Sequence, residues 1–205
     1  GSQFRNGEGE AARESLEKSL SIGPTYEALS NLGTLDFYEG RFDEAVPRFE
    51  QALTIEDGDW RVWNNLAECL RFGGGDPDEV KAAFAKTADV AERDLQRHPG
   101  DPDLMLTVAS AAAASGQKQR ARELIDEVIA GGVENPELQQ VVASVEEELG
   151  RRAEALTWVE RALAGGYPLT EIEAYPVFDE LCEDPEFEKI RQRCGGAGQG
   201  STSQD

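Results

Sequence analysis

Apolar residues recur along this chain at the three- and four-residue spacing that places side chains on one face of an α-helix. One such face comprises Phe84, Ala88, Ala91 and Leu95 and is long enough to predict a helix about two turns longer than its neighbours. A capping side chain precedes proline at Asp76-Pro77, Asp101-Pro102, Asn135-Pro136 and Asp184-Pro185. These pairs are typical of helix starts. The pattern therefore predicts an all-α chain of consecutive helices.

Small residues repeat along these helices at fixed intervals. Helix-ending glycines stand at Gly40, Gly74, Gly116 and Gly150, with spacings of 34, 42 and 34 residues. Seven positions before them stand Gly33, Ala67, Ala109 and Ala143. Small residues at fixed offsets let paired helices approach closely, and a period in this range is typical of a solenoid. Gly33 costs about 1 kcal/mol against alanine inside a helix, so we expect close packing there.

The run from Tyr26 to Asp59 resembles a tetratricopeptide repeat (TPR). Its "NLG" at 31–33, Gly40, "FDEA" at 42–45, Phe49 and "QAL" at 51–53 fall where that family's consensus has them. The resemblance implies an all-α, right-handed TPR solenoid of antiparallel helix pairs with a C-terminal helical cap. Its predicted parts are a half-repeat helix at 7–24, four repeats within 25–169 (26–59, 60–101, 102–135 and 136–169), capping helices within 170–194, and disordered ends at 1–6 and 195–205.

The two ends of the chain carry further expectations. Gly1-Ser2 looks like a tag remnant and the half-repeat lacks a first helix, which together favour a piece of a longer protein. In the cap, two helical pieces are predicted at about 170–182 and 185–193. The turn "GYP" at 166–168 and "LCEDPEFEKI" at 181–190 resemble the C-terminal end of TPR regions in bacterial serine/threonine kinases and related signalling proteins. That likeness implies the regulatory part of such a protein, although no kinase catalytic motif is present.

Composition narrows the classes of partner. The 205 residues carry a formal net charge of −21, which disfavours nucleic-acid phosphates and anionic membrane surfaces. A basic partner is compatible with this charge, and so is a simple role in solubility. The chain has no apolar run of about 18–20 residues and no visible signal peptide. Three cysteines cannot all pair internally, so we expect a reducing cytoplasm.

Candidate catalytic chemistry is sparse. The single histidine, His98, lies in a helix-exit turn and cannot build a histidine-rich metal site alone, so no metal and no cofactor are predicted. The glycines at 73–75 lack the lysine and serine or threonine of a phosphate loop. Cys69 is predicted to be a buried free thiol. Cys182 would serve as the nucleophile of an enzyme, but it has no nearby base in sequence, and a core thiol is the favoured interpretation.

A surface for recognition remains. In the TPR family the first helices of successive repeats line a concave groove. This likeness implies a partner-binding groove at Asn31, Thr34, Phe37, Tyr38, Arg61, Asn64, Asn65, Glu68, Arg71, Phe72 and Leu106. Asparagines can hydrogen-bond an extended peptide backbone, and aromatic side chains can anchor it. The alternative that Phe37 and Phe72 merely pack between repeats stays open.

The carboxylate clamp of chaperone-binding TPR proteins is not expected here. Asn65 matches one clamp position, whereas Ser30, Thr34, Asp103 and Thr107 depart from the clamp's lysines, asparagine and arginine. The predicted partner is a protein or peptide that is neutral, apolar or basic. The sequence thus favours a non-catalytic protein-interaction module that is a monomer or weak homodimer. The alternative is an assembly scaffold that pairs through Leu16 and Leu20 of the half-repeat.

Overall fold

The computed structural model describes residues 6–195, and within that range the chain is helical with no strand. The segments predicted to be disordered, 1–6 and 195–205, lie outside the described residues apart from Asn6 and Gly195, which belong to the first and last helices. In chain order the helices are α1 Asn6–Ile22, α2 Tyr26–Tyr38, α3 Phe42–Ile55, α4 Trp60–Phe72, α5 Pro77–Arg97, α6 Pro102–Ala114, α7 Lys118–Gly131, α8 Pro136–Glu148, α9 Arg152–Ala164, α10 Leu169–Ala174, a 3-10 turn Pro176–Phe178, α11 Asp179–Cys182 and α12 Pro185–Gly195. The long helix predicted to reach Leu95 is confirmed as α5, with 21 residues.

The chain divides into two compact units, one ending at Asp94 and one beginning at Leu95. In the N-terminal unit, α1 packs on α2, α2 packs on α3, α3 packs on α4, and α2 also touches α4. The core of this unit consists of Leu29, Ala45, Phe49, Ala52, Val62, Leu66 and Cys69. Cys69 is 0% exposed, so its predicted burial is confirmed.

Gly33 is a point of close packing between α2 and α3, as its position in the small-residue column predicted. A Cβ atom built on Gly33 would lie 2.9 Å from Cε1 of Phe49, which is itself 0% exposed. Real Cβ atoms do not approach ring carbons this closely. Glycine is therefore accepted in mid-helix because the Phe49 ring occupies the space where a side chain would begin.

The four helix-ending glycines share one turn geometry. Each has a positive φ, at 72° for Gly40, 69° for Gly74, 83° for Gly116 and 77° for Gly150, the left-handed conformation that glycine adopts without steric cost. The residue after each glycine donates its backbone N–H to a carbonyl five residues earlier. These bonds are Arg41 to Asp36 at 2.8 Å, Gly75 to Leu70 at 2.8 Å, Gln117 to Ala112 at 2.7 Å and Arg151 to Glu146 at 2.8 Å.

The predicted helix starts are also confirmed. Asp101 accepts backbone hydrogen bonds from Asp103 at 3.0 Å and Leu104 at 3.2 Å, and Asn135 caps α8 in the same way. Asp76 and Asp184 likewise accept from the backbone two residues on. Each capping side chain satisfies donors that the first turn of a helix leaves unpaired.

In the C-terminal unit, α6 pairs with α7 and α8 pairs with α9, and the capping segment packs onto α8 and α9. The cap buries Ile172, Phe178, Leu181, Phe187 and Ile190, each at most 2% exposed. The single helix predicted at 170–182 is wrong, because the chain is extended at Tyr175 and resumes as a 3-10 turn at Pro176. Proline has no backbone N–H with which to continue the helix.

Candidate functional site

Ten of the predicted groove residues lie on α2 and α4 of the N-terminal unit, and we call this set the α2–α4 face. It comprises Asn31, Thr34, Phe37, Tyr38, Arg61, Asn64, Asn65, Glu68, Arg71 and Phe72. Asn31, Tyr38 and Arg61 are exposed, and the others are half-buried. Leu106 lies on α6 in the C-terminal unit and is 3% exposed, so it offers a partner almost no area.

Thr34 and Asn65 form a polar link across this face. The side-chain amide of Asn65 donates to Oγ1 of Thr34 at 3.4 Å, and that hydroxyl donates to the carbonyl of Ser30 at 2.8 Å. The link joins α2 to α4. Asn31 on α2 and Asn64 on α4 lie beside it in sequence and add further amide groups to the face.

The aromatic residues of the face differ in what they contact. Phe72 of α4 stacks on Phe42 with ring centroids 5.6 Å apart and meets the edge of Phe37 at 6.1 Å. Phe37 also lies 5.9 Å from Phe42. These contacts favour the alternative that Phe37 and Phe72 pack between successive repeats. Tyr38 also meets the ring of Phe37 edge-on, with centroids 5.6 Å apart, but it is 70% exposed and so offers the most ring surface of this face to an external partner.

The arginines of the face rest on aromatic rings. The guanidinium of Arg61 lies 4.5 Å from the centroid of the Trp60 ring and 3.6 Å from Oδ1 of Asp59. The guanidinium of Arg71 lies 4.3 Å from the Phe84 ring. Such stacking holds a cation in place while leaving its edge able to donate hydrogen bonds.

An ion cluster around Asp36 was missed by the sequence analysis. Asp36 is 0% exposed, and its Oδ1 lies 2.7 Å from Nη2 of Arg13 and 2.8 Å from Nη2 of Arg41, while Arg48 contacts its other oxygen. Arg13 belongs to α1, so the cluster fixes α1 to α2. The fourth repeat has a related pair, in which Arg151 binds the buried Glu146. An acidic residue five positions before an arginine, across a turn glycine, is the signal that could have found both.

A cleft opens between α1 and α2, with a volume of about 420 Å³. Its lining is Ala12, Ser15 and Leu16 from α1 with Asn31, Thr34, Leu35 and Tyr38 from α2. In the scaffold alternative, Leu16 and Leu20 of the half-repeat would be exposed and would pair with another chain. Both are half-buried: Leu16 lines the cleft, and Leu20 packs against the core cluster and so is not the exposed residue that this alternative needs.

The cysteines are poorly suited to nucleophilic chemistry. Burial raises the pKa of Cys69 to about 12 and the pKa of Cys182 to about 11. Because of these raised pKa values, both thiols are almost entirely protonated near neutral pH, and the thiolate is the form that reacts as a nucleophile. Within residues 6–195 there is also no group of three or more side chains arranged to hold a metal ion.

The paired helices, the small-residue columns and the repeated glycine turns define a helical-repeat protein. The chain belongs to the tetratricopeptide repeat family, whose sequence model matches residues 30–102 and 106–168. This match confirms the predicted fold class. No curated protein sequence matches the chain.

Solved structures share this helical-repeat fold. PilW, a widely conserved type IV pilus biogenesis factor, is 18% identical, with 97% of this chain and 90% of that chain covered and a TM-score of 0.59. TTC0263, a thermophilic TPR protein of Thermus thermophilus, is 19% identical, with coverages of 95% and 92% and a TM-score of 0.53. MamA is 17% identical, with coverages of 78% and 90% and a TM-score of 0.51. At these identities the likeness shows the fold alone.

TPR repeats are generally non-catalytic modules that bind protein partners. Among the helices of residues 6–195, none is long and apolar enough to cross a lipid bilayer.

Proposed function

We propose that the chain is a non-catalytic interaction module that binds a peptide or protein segment on the α2–α4 face. The observation that carries this proposal is the Thr34–Asn65 link, in which a side-chain amide of α4 donates to a hydroxyl of α2, the first helices of two successive repeats. Asn31 on α2 and Asn64 on α4 add further amide side chains to the face, and such groups both donate to and accept from a peptide backbone. Tyr38, with 70% of its surface exposed, supplies an aromatic anchor beside them.

The bound partner is neutral, apolar or basic. A net charge of −21 repels acidic segments at long range. Asn65 alone matches the carboxylate clamp of chaperone-binding TPR proteins, so the clamp's set of lysines, asparagine and arginine is not reproduced at the matching positions. The resemblance of the cap to TPR regions of bacterial serine/threonine kinases and related signalling proteins supports a regulatory role within a larger signalling protein.

The test begins with a displayed library of random 12-residue peptides selected against the full chain. The best binder is then titrated by fluorescence anisotropy against the wild type, the double variant Asn64→Ala/Asn65→Ala, and the control Gln51→Ala, which changes an exposed position of α3. We expect the double variant to bind at least tenfold more weakly and the control to bind as the wild type does. Equal binding by all three proteins would place recognition elsewhere and refute the α2–α4 face.

A further inference from the structure

Phe42 lies outside the α2–α4 face, yet its ring contacts both helices that form the face. It is the first residue of α3. Its ring stacks on that of Phe72 of α4 with an interplanar angle of 19°, and its centroid lies 5.9 Å from that of Phe37 on α2. Phe37 and Phe72 also meet directly, at 6.1 Å. These three rings, which we call the ring triangle, therefore join the last turns of α2 and α4.

The backbone on both sides of the ring triangle holds Phe42 in place. The backbone N–H of Arg41 donates to the carbonyl of Asp36 at 2.8 Å, and the Arg41 guanidinium binds the buried Asp36 carboxylate. On the α4 side, a Cβ atom built on Gly73 would lie 3.3 Å from Cβ of Phe42. The end of α4 thus rests directly on Phe42. The ring triangle therefore sets the separation between the last turns of α2 and α4.

The polar link of the α2–α4 face depends on that separation. Thr34 lies one turn before Phe37 on α2, and Asn65 lies two turns before Phe72 on α4. Side chains at these spacings share one face of a helix, so the link and the ring triangle are neighbouring contacts. The hydrogen bond from Nδ2 of Asn65 to Oγ1 of Thr34 measures 3.4 Å, longer than the usual range of about 2.7–3.2 Å. A small movement of α4 away from α2 would break it.

We propose that Phe42 is a positioning residue for recognition on the α2–α4 face. Its ring holds Phe37 and Phe72 at the spacing that lets the amide groups of α2 and α4 reach the same bound segment. This inference rests on the proposed function, and it adds a residue that acts through others rather than by touching the segment. It also gives Phe37 and Phe72 a part in recognition that is compatible with their packing between repeats.

The perturbation that tests this inference is Phe42→Leu. Leucine keeps an apolar side chain at position 42 but loses the flat stack on Phe72. The end of α4 would then move towards α3 and change its distance from α2. Because Phe42 is only half-buried, we expect the fold to tolerate the change, and circular dichroism checks this. Phe42→Met, which also removes the ring, gives the same readouts if Phe42→Leu does not fold.

The probe is the best binder selected from the displayed library of 12-residue peptides, titrated against the full chain by fluorescence anisotropy. Phe42→Leu should weaken binding at least fivefold, whereas Phe42→Tyr, which keeps the ring, should retain most of the affinity. The matched control is Phe178→Leu, which makes the same change at a 0% exposed position of the cap. That control should bind the peptide as the wild type does.

Two further readouts separate positioning from a general loosening of the fold. In the Asn64→Ala/Asn65→Ala background, Phe42→Leu should cause no further loss of binding, because it acts through those amide groups; independent effects would add. In ¹H–¹⁵N spectra of the free protein, the side-chain amide signals of Asn65 should shift in Phe42→Leu and stay in place in Phe178→Leu. The spectra need no peptide.

The outcomes distinguish this inference from the proposed function. A peptide that depends on Asn64 and Asn65 but binds Phe42→Leu as tightly as the wild type would overturn the inference alone. Unchanged Asn65 amide signals in Phe42→Leu would do the same, and so would an equal loss of affinity in Phe178→Leu. A peptide that binds Asn64→Ala/Asn65→Ala as tightly as the wild type would instead refute the proposed function, and this inference with it.

Discussion

Substituting alanine for Gly33 tests whether the small-residue column exists for packing. The new Cβ atom would lie 2.9 Å from Cε1, 3.0 Å from Cζ and 3.1 Å from Cδ1 of Phe49. Phe49 is 0% exposed, so its ring cannot swing into solvent. Overpacking of this kind costs about 1–3 kcal/mol. Alanine regains about 1 kcal/mol of helix propensity. We therefore expect Gly33→Ala to lower the free energy of unfolding by about 1 kcal/mol.

The measurement is urea denaturation followed by far-UV circular dichroism. Gly131→Ala is the matched control, because Gly131 also lies in a helix and a Cβ atom there would meet nothing within 4 Å. That control should be neutral or slightly stabilising. Phe49→Leu provides the second arm, since it removes the ring atoms that the new methyl group at position 33 would strike.

The double-variant cycle gives the sharpest readout. In the Phe49→Leu background, Gly33→Ala should lose its cost and become neutral or stabilising, with a coupling energy of about 1 kcal/mol or more. If Gly33→Ala instead stabilises the wild type by about 1 kcal/mol, and does so equally in both backgrounds, propensity alone governs this position. The packing explanation of the column would then be refuted.

Two further predictions concern buried ionisable groups. Asp36→Asn should lower the free energy of unfolding by about 2 kcal/mol in the same assay, which is less than for a fully buried pair because the arginines around Asp36 keep some exposure. Arg13→Ala leaves Asp36 two cations and should therefore cost less. An equal loss of stability in the two variants would contradict the cluster's role. Burial raises the pKa of Cys182 to about 11 and that of Cys69 to about 12, so iodoacetamide should label both slowly at pH 7 and Cys182 faster as the pH approaches 11. Both folded values lie above the ordinary 9.0, so the stability linked to these thiols is present below about pH 9 and is lost as the pH rises through 11–12. Rapid labelling of native Cys182 at pH 7 would contradict the burial argument.

Much of the fold could be predicted because its signals are local. The pairs Asp101-Pro102 and Asn135-Pro136 each indicate a helix start within two residues, and their capping hydrogen bonds form as expected. The apolar face from Phe84 to Leu95 similarly fixes a helix by its own periodicity. Pro176 was itself a signal for a break in the helix, but the apolar residues on either side of it suggested one continuous helix.

The candidate site was less predictable because it depends on contacts between helices. Family position placed Phe37 and Phe72 on a binding face, while the structure adds Phe42 as their shared neighbour. The same limit applies to Leu106, whose position suggested a surface residue although it is 3% exposed. The α1–α2 cleft is a property of two helices together, so neither sequence alone indicates it.

The repeated turns explain why the fold could be predicted from the sequence while the Asp36 cluster could not. The backbone hydrogen bond that closes the turn runs to the carbonyl of Asp36 in the first repeat and of Glu146 in the fourth, but to Leu70 in the second and Ala112 in the third. Its length is 2.7–2.8 Å in all four, so the turn forms whether that side chain is acidic or apolar. The glycine and the backbone therefore set the geometry, and the side chain at this position is free to take a second role. In the first repeat that role is to bind Arg13 and fix α1 beside α2, which is the arrangement that forms the cleft.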